Sequence, residues 1–365
     1  MKRFALLIAV LLVGCNDPAQ DPTGPKPAGP AAYPVFPFLG YTTSEVGLMA
    51  GGSFSTAAAI NTAGTIVGQA DHCSTFFLNG HPIQFCSTTA YYKPSGGAMT
   101  AIPLLPGHVI STATGVTDAG LVVGWSRPSG GFPIQAGWIF NPATHHLDSL
   151  PRINGGGVVF SAAAPNGWTT GTRYNGATLV PVAFRYSVVT NYLEDLLPAG
   201  YAGSQGLAID AAGDVAGYVY TTTEGVNHGF VWYGGGPNQD LASLNSGVSV
   251  ATGISGTVVG PFKPYDGVTP RVYSYTIGGS LGDIGAGINR YPTGLSDKGR
   301  LIGYGTTTTH TPFTFHNTVS VTLPGLTGLS LFTPTAVNRC GTIVGTGYDA
   351  GYRYHAVVWS QTVCD

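Results

Sequence analysis

The chain has 365 residues, of which 43% are hydrophobic and only 9% are charged, and its formal net charge is −2. A charge balance this close to neutral excludes the basic surface that nucleic-acid binding requires. The 55 glycines and 26 prolines, together with the scarcity of Lys and Glu, are typical of an all-β chain with many tight turns rather than of a helical protein.

The first segment, residues 1–14, has the pattern of a secretory signal peptide. Two basic residues precede an unbroken apolar run from Phe4 to Val13, which is too short to cross a membrane as a helix. The run ends Leu-Val-Gly-Cys at Cys15, and this ending resembles the bacterial lipobox. We therefore expect a lipoprotein that is held to a membrane by a lipid on Cys15; an ordinary signal peptide with a chance cysteine is the alternative. Asn16 is not the Asp associated with inner-membrane retention, which favours the outer membrane or the cell surface.

The next segment, residues 15–38, is rich in Pro and Gly and has few large apolar residues. This composition predicts a flexible tether rather than a domain. Residues 39–365 remain for the folded body, and a chain of that length can bury a large core.

A ten-residue pattern recurs along this body: a small residue, an aliphatic residue, a turn ending in Gly, three residues and a second Gly. The second glycines are Gly68, Gly124, Gly171, Gly217, Gly260, Gly303 and Gly345. Their spacings are 56, 47, 46, 43, 43 and 42 residues. A period of about 45 residues in an all-β chain matches one blade of a propeller, so the repeat predicts a seven-bladed β-propeller.

Each repeat is predicted to form four strands, A to D. Strand A leads into the first glycine, strand B lies between the two glycines, strand C is aromatic and strand D carries spaced aliphatic residues. The last repeat ends after strand C, whereas Val46–Ala57 aligns without gaps on Ile102–Ala113, at the D strand of the first repeat. We therefore expect an N-terminal strand around Val46 to Met49 to complete the last blade and close the ring, which removes an exposed edge. An open β-solenoid is the alternative.

Two of the predicted C strands begin with similar residues. They read His228-Gly229-Phe230 and His355-Ala356-Val357, and the first is followed by Gln-Asp-Leu-Ala-Ser-Leu at 239–244. Together with the Ala-Ile-Asn…Gly-x-Ile-Val-Gly pattern, these residues resemble the HAF family of probable extracellular repeats over about residues 44–365. Only two repeats keep the histidine. The resemblance implies an exported repeat protein and no established reaction.

Four of the five cysteines remain if Cys15 carries a lipid. Strand order predicts the disulfides Cys73–Cys86 and Cys340–Cys364, because each pair lies at one end of an antiparallel B–C pair. The first would fix the base of a long B–C insertion, and the second would hold the C-terminal segment. The other pairings would join different blades.

The sequence offers no evident catalytic, cofactor or metal site. The Asn and Asp residues of the A–B turns are too few per turn for calcium loops and are typical of Asx turns. The pair His145 and His146 has no nearby Cys or carboxylate ligand other than Asp148 and is interpreted as an exposed pair rather than a zinc site. His228 and His355 are interpreted as packing or capping residues. Of the three glutamates, Glu45 and Glu194 lie at predicted outer strands of different blades, and the third is Glu224. Outer positions of different blades do not bring two carboxylates within about 10 Å, as a glycosidase requires. A serine hydrolase remains a less favoured alternative.

The variable B–C loops are the candidate binding surface, because variable loops on a rigid scaffold commonly carry function. Aromatic and basic residues gather there: Trp125, Arg127, Arg173, Tyr174, Tyr218, Tyr220, Tyr265, Tyr304, Tyr348 and Arg353. Such residues suit a glycan or an extracellular protein partner. Two functions are therefore expected: a surface recognition module, or a structural subunit of the envelope or of an extracellular assembly that associates with copies of itself.

Overall fold

The computed structural model describes residues 40–79, 81–129, 135–221, 227–235, 238–241, 247–264, 271–276, 281–283, 290–305, 310–316 and 319–361. The predicted signal peptide, Cys15 and the predicted tether lie outside these residues, as do Glu224, Tyr265 and Cys364. Gly40–Asp365 forms one compact unit. Within the described residues, no helix is long and apolar enough to span a membrane.

The strands form seven antiparallel sheets, which we number as blades 1 to 7 in chain order. Blade 1 contains β2 (Ser55–Ile60), β3 (Ile66–Leu78), β4 (His81–Lys93) and β5 (Thr100–Ala101). Blade 2 contains β6 (His108–Val116), β7 (Val122–Pro128), β8 (Ala136–Asn141) and β9 (His146–Ser149). Blade 3 contains β10 (Val158–Ala163), β11 (Trp168–Tyr174), β12 (Pro181–Ser187) and β13 (Tyr192–Leu196).

The remaining blades repeat this arrangement. Blade 4 contains β14 (Tyr201–Ile209), β15 (Val215–Thr221), β16 (Asn227–Trp232) and β17 (Gln239–Asp240). Blade 5 contains β18 (Gly247–Ser249), β19 (Gly253–Ile254), β20 (Thr257–Pro264), β21 (Arg271–Thr276) and β22 (Leu281–Asp283). Blade 6 contains β23 (Arg290–Leu295), β24 (Leu301–Gly305), β25 (Pro312–His316) and β26 (Val319–Thr322). Blade 7 contains β27 (Ser330–Val337), β28 (Ile343–Tyr348), β29 (Tyr354–Ser360) and, from the other end of the unit, β1 (Thr42–Glu45).

The blades surround a common axis in chain order. The A strand of every blade contacts the A strands of both neighbouring blades, and β27 contacts β2, so the circle is complete. Blade 5 departs slightly from the pattern, because its A strand is divided into β18 and β19. The architecture is the seven-bladed β-propeller that the repeat predicts.

The ring is closed by β1, which pairs antiparallel with β29 from Thr42↔Ser360 to Glu45↔Val357. The expectation of an N-terminal closing strand is therefore correct, but its position is wrong by four residues. Val46 follows the strand; its N–H donates to the Ala356 carbonyl at 2.8 Å, and its side chain is buried. The apolar pattern marks this buried residue, whereas the strand itself is mostly exposed.

The two glycines of the repeat serve different purposes. The first takes a positive φ in the A–B turn, as at Gly120 with φ of 82°. Residues other than glycine disfavour this conformation. The second lies on strand B against a carbonyl oxygen of strand A, as at Gly124 beside Thr112, and leaves no room for a Cβ. Every repeat shows this approach, and in six blades strand A has a β-bulge at this level.

The core lies between neighbouring blades. Successive apolar residues of strand B face opposite neighbours: Val67 of blade 1 belongs to one cluster with Val122 and Trp138 of blade 2, whereas Ile66 belongs to one with Val344 of blade 7. The aromatic C strands fill the same layers, and Trp138, Trp232 and Trp359 are fully buried. Burial of these large rings explains why the C strands are aromatic in the sequence.

Candidate functional site

The A–B turns lie on one face of the propeller and are closed by their own side chains. In blade 1, Asn61 Oδ1 accepts a hydrogen bond of 2.8 Å from the Thr65 N–H. In blade 4, Asp210 Oδ1 accepts from the N–H groups of Ala212 at 2.9 Å and Asp214 at 3.1 Å. These contacts are those of Asx turns, as the sequence predicts. The opposite face, formed by the B–C and D–A loops, is called the B–C face below.

Three of the predicted ligand-binding residues come together on the B–C face of blades 3 and 4. The hydroxyl groups of Tyr218 and Tyr220 lie 3.3 Å apart, and Gln205 Nε2 donates to the Tyr220 hydroxyl at 2.7 Å. Burial, followed by the hydrogen bond to Tyr220, raises the pKa of Tyr218, and Tyr174 raises it further. Burial and the nearby Tyr220 also raise the pKa of Tyr174. Tyr174, Tyr218, Tyr220 and Gln205, called the tyrosine cluster below, offer half-buried aromatic rings with polar tips.

Tyr304 and Tyr348 belong to separate aromatic groups in other blades. Tyr304 stacks on Tyr291, with ring centroids 5.9 Å apart and an interplanar angle of 12°. Tyr348 packs against Tyr354 with centroids 4.7 Å apart, and the hydrogen bond between their side chains, followed by burial, raises the pKa of Tyr348 to about 12. The structure therefore distributes the predicted aromatic residues over several blades.

Arg353 is engaged within its own loop in blade 7. Its Nε and Nη2 lie 2.8 and 2.7 Å from Asp349 Oδ2, and its N–H donates to Asp349 Oδ1 at 2.9 Å. That backbone hydrogen bond is the largest cause of a strongly lowered pKa for Asp349. These contacts join the two ends of the 349–353 loop in blade 7.

The basic and indole side chains of blades 2 and 3 contribute less to an exposed surface than the sequence suggests. Trp125 and Arg127 are half-buried on β7, opposite Thr112 and Ile110 of β6. Arg173 is buried, and its Nη1 donates to Asp195 Oδ1 at 2.7 Å. Its guanidinium is bound to strand D of its own blade, so we interpret Arg173 as supporting the site.

An acidic residue of strand D is a recurring partner that sequence reasoning missed. Asp195 of β13 pairs with Arg173, and Asp240 of β17 lies 3.0 Å from His228 Nδ1. In blade 7, Glu45 Oε1 lies 3.7 Å from His355 Nδ1. The three acids occupy the same register position, opposite Phe184, Phe230 and Val357 of strand C. The detectable signal is an acidic residue directly before the aliphatic residue at the end of strand D.

The two histidines and the two outer glutamates also contact residues of their own blades. His228 and His355 are the second residues of β16 and β29. His228 reaches the strand D acid diagonally, whereas His355 Nε2 lies 3.4 Å from Asp349 Oδ2 of its own loop, closer than Glu45. Glu194 of β13 is paired with Arg185, whose Nε donates to Glu194 Oε2 at 2.7 Å. These contacts hold outer strands to their blades, in keeping with the packing role expected of the histidines.

The predicted disulfide between Cys73 and Cys86 is present, with the two residues paired across β3 and β4 and their Cα atoms 4.0 Å apart. Cys340 is also disulfide-bonded, and its partner lies outside the described residues, so the Cys340–Cys364 pairing stays a prediction. Asp71 lies near the first disulfide and could suggest a metal site. However, both sulfur atoms are already bonded to each other, and the Asp71 carboxylate accepts from the Ser53 N–H, the Ser53 hydroxyl and the Phe54 N–H at 2.7–2.8 Å.

A groove of about 350 Å³ lies between blades 2 and 3, toward the C–D turns rather than the B–C face. It is lined by Tyr186, Asn191, His146 and Asp148 among others, and His146 Nε2 lies 3.0 Å from Asp148 Oδ2. Both members of this pair are mostly exposed. His146 is therefore a surface residue, as the sequence suggests, while His145 takes a positive φ of 54° in the C–D turn.

No protein-family model and no curated protein matches this sequence. Among solved structures, the chain is similar to the β-propeller domain of the Trilobed protease from Pyrococcus furiosus, which is described as having an open velcro topology. The identity is 9%, the TM-score is 0.57, and the match covers 84% of this chain and 96% of that one. At this identity the likeness supports the propeller fold alone.

Two further structures are more distant. One is a fungal alcohol oxidase of the AA5 family in complex with copper, with 12% identity, a TM-score of 0.47, and coverage of 88% of this chain and 76% of that one. The other comes from a nidogen/laminin complex, with 13% identity, a TM-score of 0.37, and coverage of 67% and 99%. Neither carries an argument about function.

Proposed function

We propose that this protein is a non-catalytic binding module, held to the outer membrane or cell surface by a lipid on Cys15, that recognises a glycan or an extracellular protein through its B–C face. A propeller supports a scaffold or binding role in general. The finer proposal rests on the tyrosine cluster, in which Tyr174, Tyr218, Tyr220 and Gln205 bring rings and hydrogen-bonding tips together from two blades.

The chemistry of the cluster suits a ring-shaped polar ligand. Aromatic faces bury the apolar side of a sugar ring, while hydroxyl and amide groups fix its orientation. Because phenol and amide side chains carry no charge at physiological pH, recognition would depend on hydrogen bonds and ring contacts rather than on charge. Such a site would bind with little dependence on salt concentration.

A glycan array tests the proposal directly. The unmodified protein is expected to bind a defined group of glycans, and Tyr174→Ala and Tyr220→Ala should each weaken that binding by at least tenfold. Tyr192→Ala is the matched control, because Tyr192 is a tyrosine at the C–D turn on the opposite face. Equal binding by all variants would refute the role of the cluster, and size-exclusion chromatography that shows large oligomers would favour the structural-subunit alternative.

A further inference from the structure

The hairpin formed by β3 and β4 extends well beyond its blade. β3 continues ten residues past the motif glycine Gly68 to Leu78, whereas the B strands described in the other blades end within four residues of theirs. Six additional residues at about 3.4 Å each give a projection of roughly 20 Å. The hairpin therefore extends past the described ends of the B strands in the other blades.

The end of this hairpin is apolar on both of its faces. The exposed fractions are 48% for Phe76, 72% for Phe77 and 56% for Leu78, and Ile83 is exposed as well. Consecutive strand residues point to opposite faces, so Phe77 lies on one face and Phe76 and Leu78 lie on the other. We call Phe76, Phe77, Leu78 and Ile83 the hairpin tip. A flat partner surface could cover only one of the two faces.

The tip also lacks charge, and its base is rigid. No Asp, Glu, Lys or Arg occurs between residues 72 and 92, and the histidines of the hairpin are His72 at its base and His81 opposite Leu78. The vesicle experiment below is therefore run at about pH 8, above the ordinary pKa of histidine, because a charge would oppose transfer out of water. The Cys73–Cys86 disulfide joins the two strands below the tip. Asp71 fixes the 53–54 backbone against the same base through hydrogen bonds of 2.7 and 2.8 Å. The apolar residues are thus held away from the propeller.

From this geometry we propose that the hairpin tip inserts into the interfacial layer of a lipid bilayer as a second membrane contact, separate from the lipid on Cys15. A medium that surrounds the tip can cover both apolar faces, and an uncharged tip matches an uncharged lipid interface. Phe76–Leu78 spans about 7–10 Å, comparable to the depth at which amphipathic segments rest in the headgroup region. Deeper insertion is opposed by the unpaired backbone groups at the edges of a two-stranded ribbon.

The chain before the propeller permits both contacts at once. Residues 15–39 precede the described residues, and at about 3.3–3.6 Å per residue they can reach roughly 80–90 Å when extended. A tether of this reach allows the B–C face to turn toward the membrane that holds Cys15. With 7–10 Å of the roughly 20 Å projection inserted, the hairpin would keep the tyrosine cluster about 10–13 Å from the lipid, which leaves room for a sugar ring.

Flotation with phosphatidylcholine vesicles tests the insertion. The full chain is used as a Cys15→Ala variant, so that no lipid anchor contributes. This protein is expected to float with the vesicles, and Phe77→Ser should reduce its partition about tenfold, as expected for loss of one large apolar side chain from the interface. The partition should remain constant between about 0.1 and 1 M salt, because the tip has no charge.

Val189→Ser is the matched control, because Val189 is 73% exposed but lies in the C–D turn of blade 3. It should float as the parent does, and both serine variants should keep the parent melting temperature, since neither side chain is buried. The vesicle concentration is set so that only part of the parent protein floats. Any apolar segment remaining at the N-terminus is common to all three proteins and then cancels in the ratio of their partition.

A second readout reports the tip itself. In Phe77→Trp, subtraction of the parent spectrum gives the emission of the introduced indole. This emission should move to shorter wavelength when vesicles are added and be quenched by brominated phosphatidylcholine. Absence of flotation, equal loss in Val189→Ser, or flotation that Phe77→Ser leaves unchanged would each overturn the proposal. The proposal would also be overturned if the protein did not bind vesicles but formed a concentration-dependent dimer that Phe77→Ser abolished. The tip would then contact a second copy of the chain.

Discussion

Alanine at the second glycine of a repeat should destabilise the protein more than alanine at the first. At Gly124, an added Cβ would lie 2.5 and 2.6 Å from Cζ2 and Cη2 of Trp138, and closer still to the Thr112 carbonyl oxygen. Trp138 is 1% exposed and cannot swing away. Since a ring and a backbone segment must both shift, the cost is expected at about 3 kcal/mol or more, the upper end of overpacking.

The first glycine provides the matched comparison within the same turn. At Gly120 no atom lies within 4 Å of an added Cβ, so only the positive φ of 82° resists substitution. Gly120→Ala should therefore cost about 1–2 kcal/mol, and Gly120→Asn less, because asparagine tolerates the left-handed region.

Differential scanning calorimetry measures the difference. With an unfolding entropy of about 2.1 cal/mol/K per residue over the compact unit, a loss of about 3 kcal/mol lowers Tm by roughly 4–5 °C. Gly120→Ala should lower it by roughly 1.5–3 °C and Gly120→Asn by less. A Gly124→Ala shift no larger than that of Gly120→Ala would refute the claim that the second glycine is required by the close approach of strand A.

Three further predictions concern the chain before the propeller, the ring closure and one phenol. Deletion of residues 16–38 should leave Tm unchanged, whereas deletion of residues 16–46 should lower Tm and cause aggregation visible by light scattering; equal behaviour would contradict closure by β1. Cys15→Ala combined with Phe77→Ser, which removes both proposed membrane contacts, should move the protein out of the membrane fraction or block its processing, and a cleaved double variant that stays membrane-bound would contradict lipidation. Burial, and then the hydrogen bond of 2.6 Å to Asp240, raise the pKa of Tyr201 to about 12, so its stabilising contribution should be complete below pH ~10 and be lost between pH ~10 and 12. Tyr201→Phe should reduce the alkaline loss of stability in that window, and an unchanged alkaline profile would count against this role.

The number of blades was predictable because the repeat reflects a strict packing requirement. The glycine spacing follows from two features that recur in every blade: the A–B turn, and the close approach of strand B to a strand A carbonyl. The position of β1 was not, because outer strands carry little burial: in Thr42–Glu45 three of four residues are exposed, so apolar patterning points to Val46 instead. The ends of β1 are determined by its backbone hydrogen bonds to β29, and these hydrogen bonds do not depend on side-chain hydrophobicity.

The sequence was sufficient to propose the tyrosines of the tyrosine cluster individually, but it did not show that they lie together. Tyr218 and Tyr220 lie on the same side of β15, and the period of the repeat brings Tyr174 of the preceding blade close to them. The burial of Arg173 depends on Asp195, which lies 22 residues later on strand D, and no local pattern around Arg173 reveals it. The cysteine spacing predicted the base of the β3–β4 hairpin, whereas the exposure of its tip depends on how far both strands continue.

The closure of the ring by β1 has a consequence for biogenesis. The hydrogen bond from Thr42 Oγ1 to the Ser360 carbonyl joins residues 318 positions apart, so β1 must wait unpaired until almost the whole unit has been synthesised. Blades 1 to 6 are built from contacts local in sequence and can form as the chain emerges, but blade 7 stays unfinished until the two distant segments meet. During that interval β29 presents an open edge to other chains, and the yield of refolding is expected to fall as protein concentration rises.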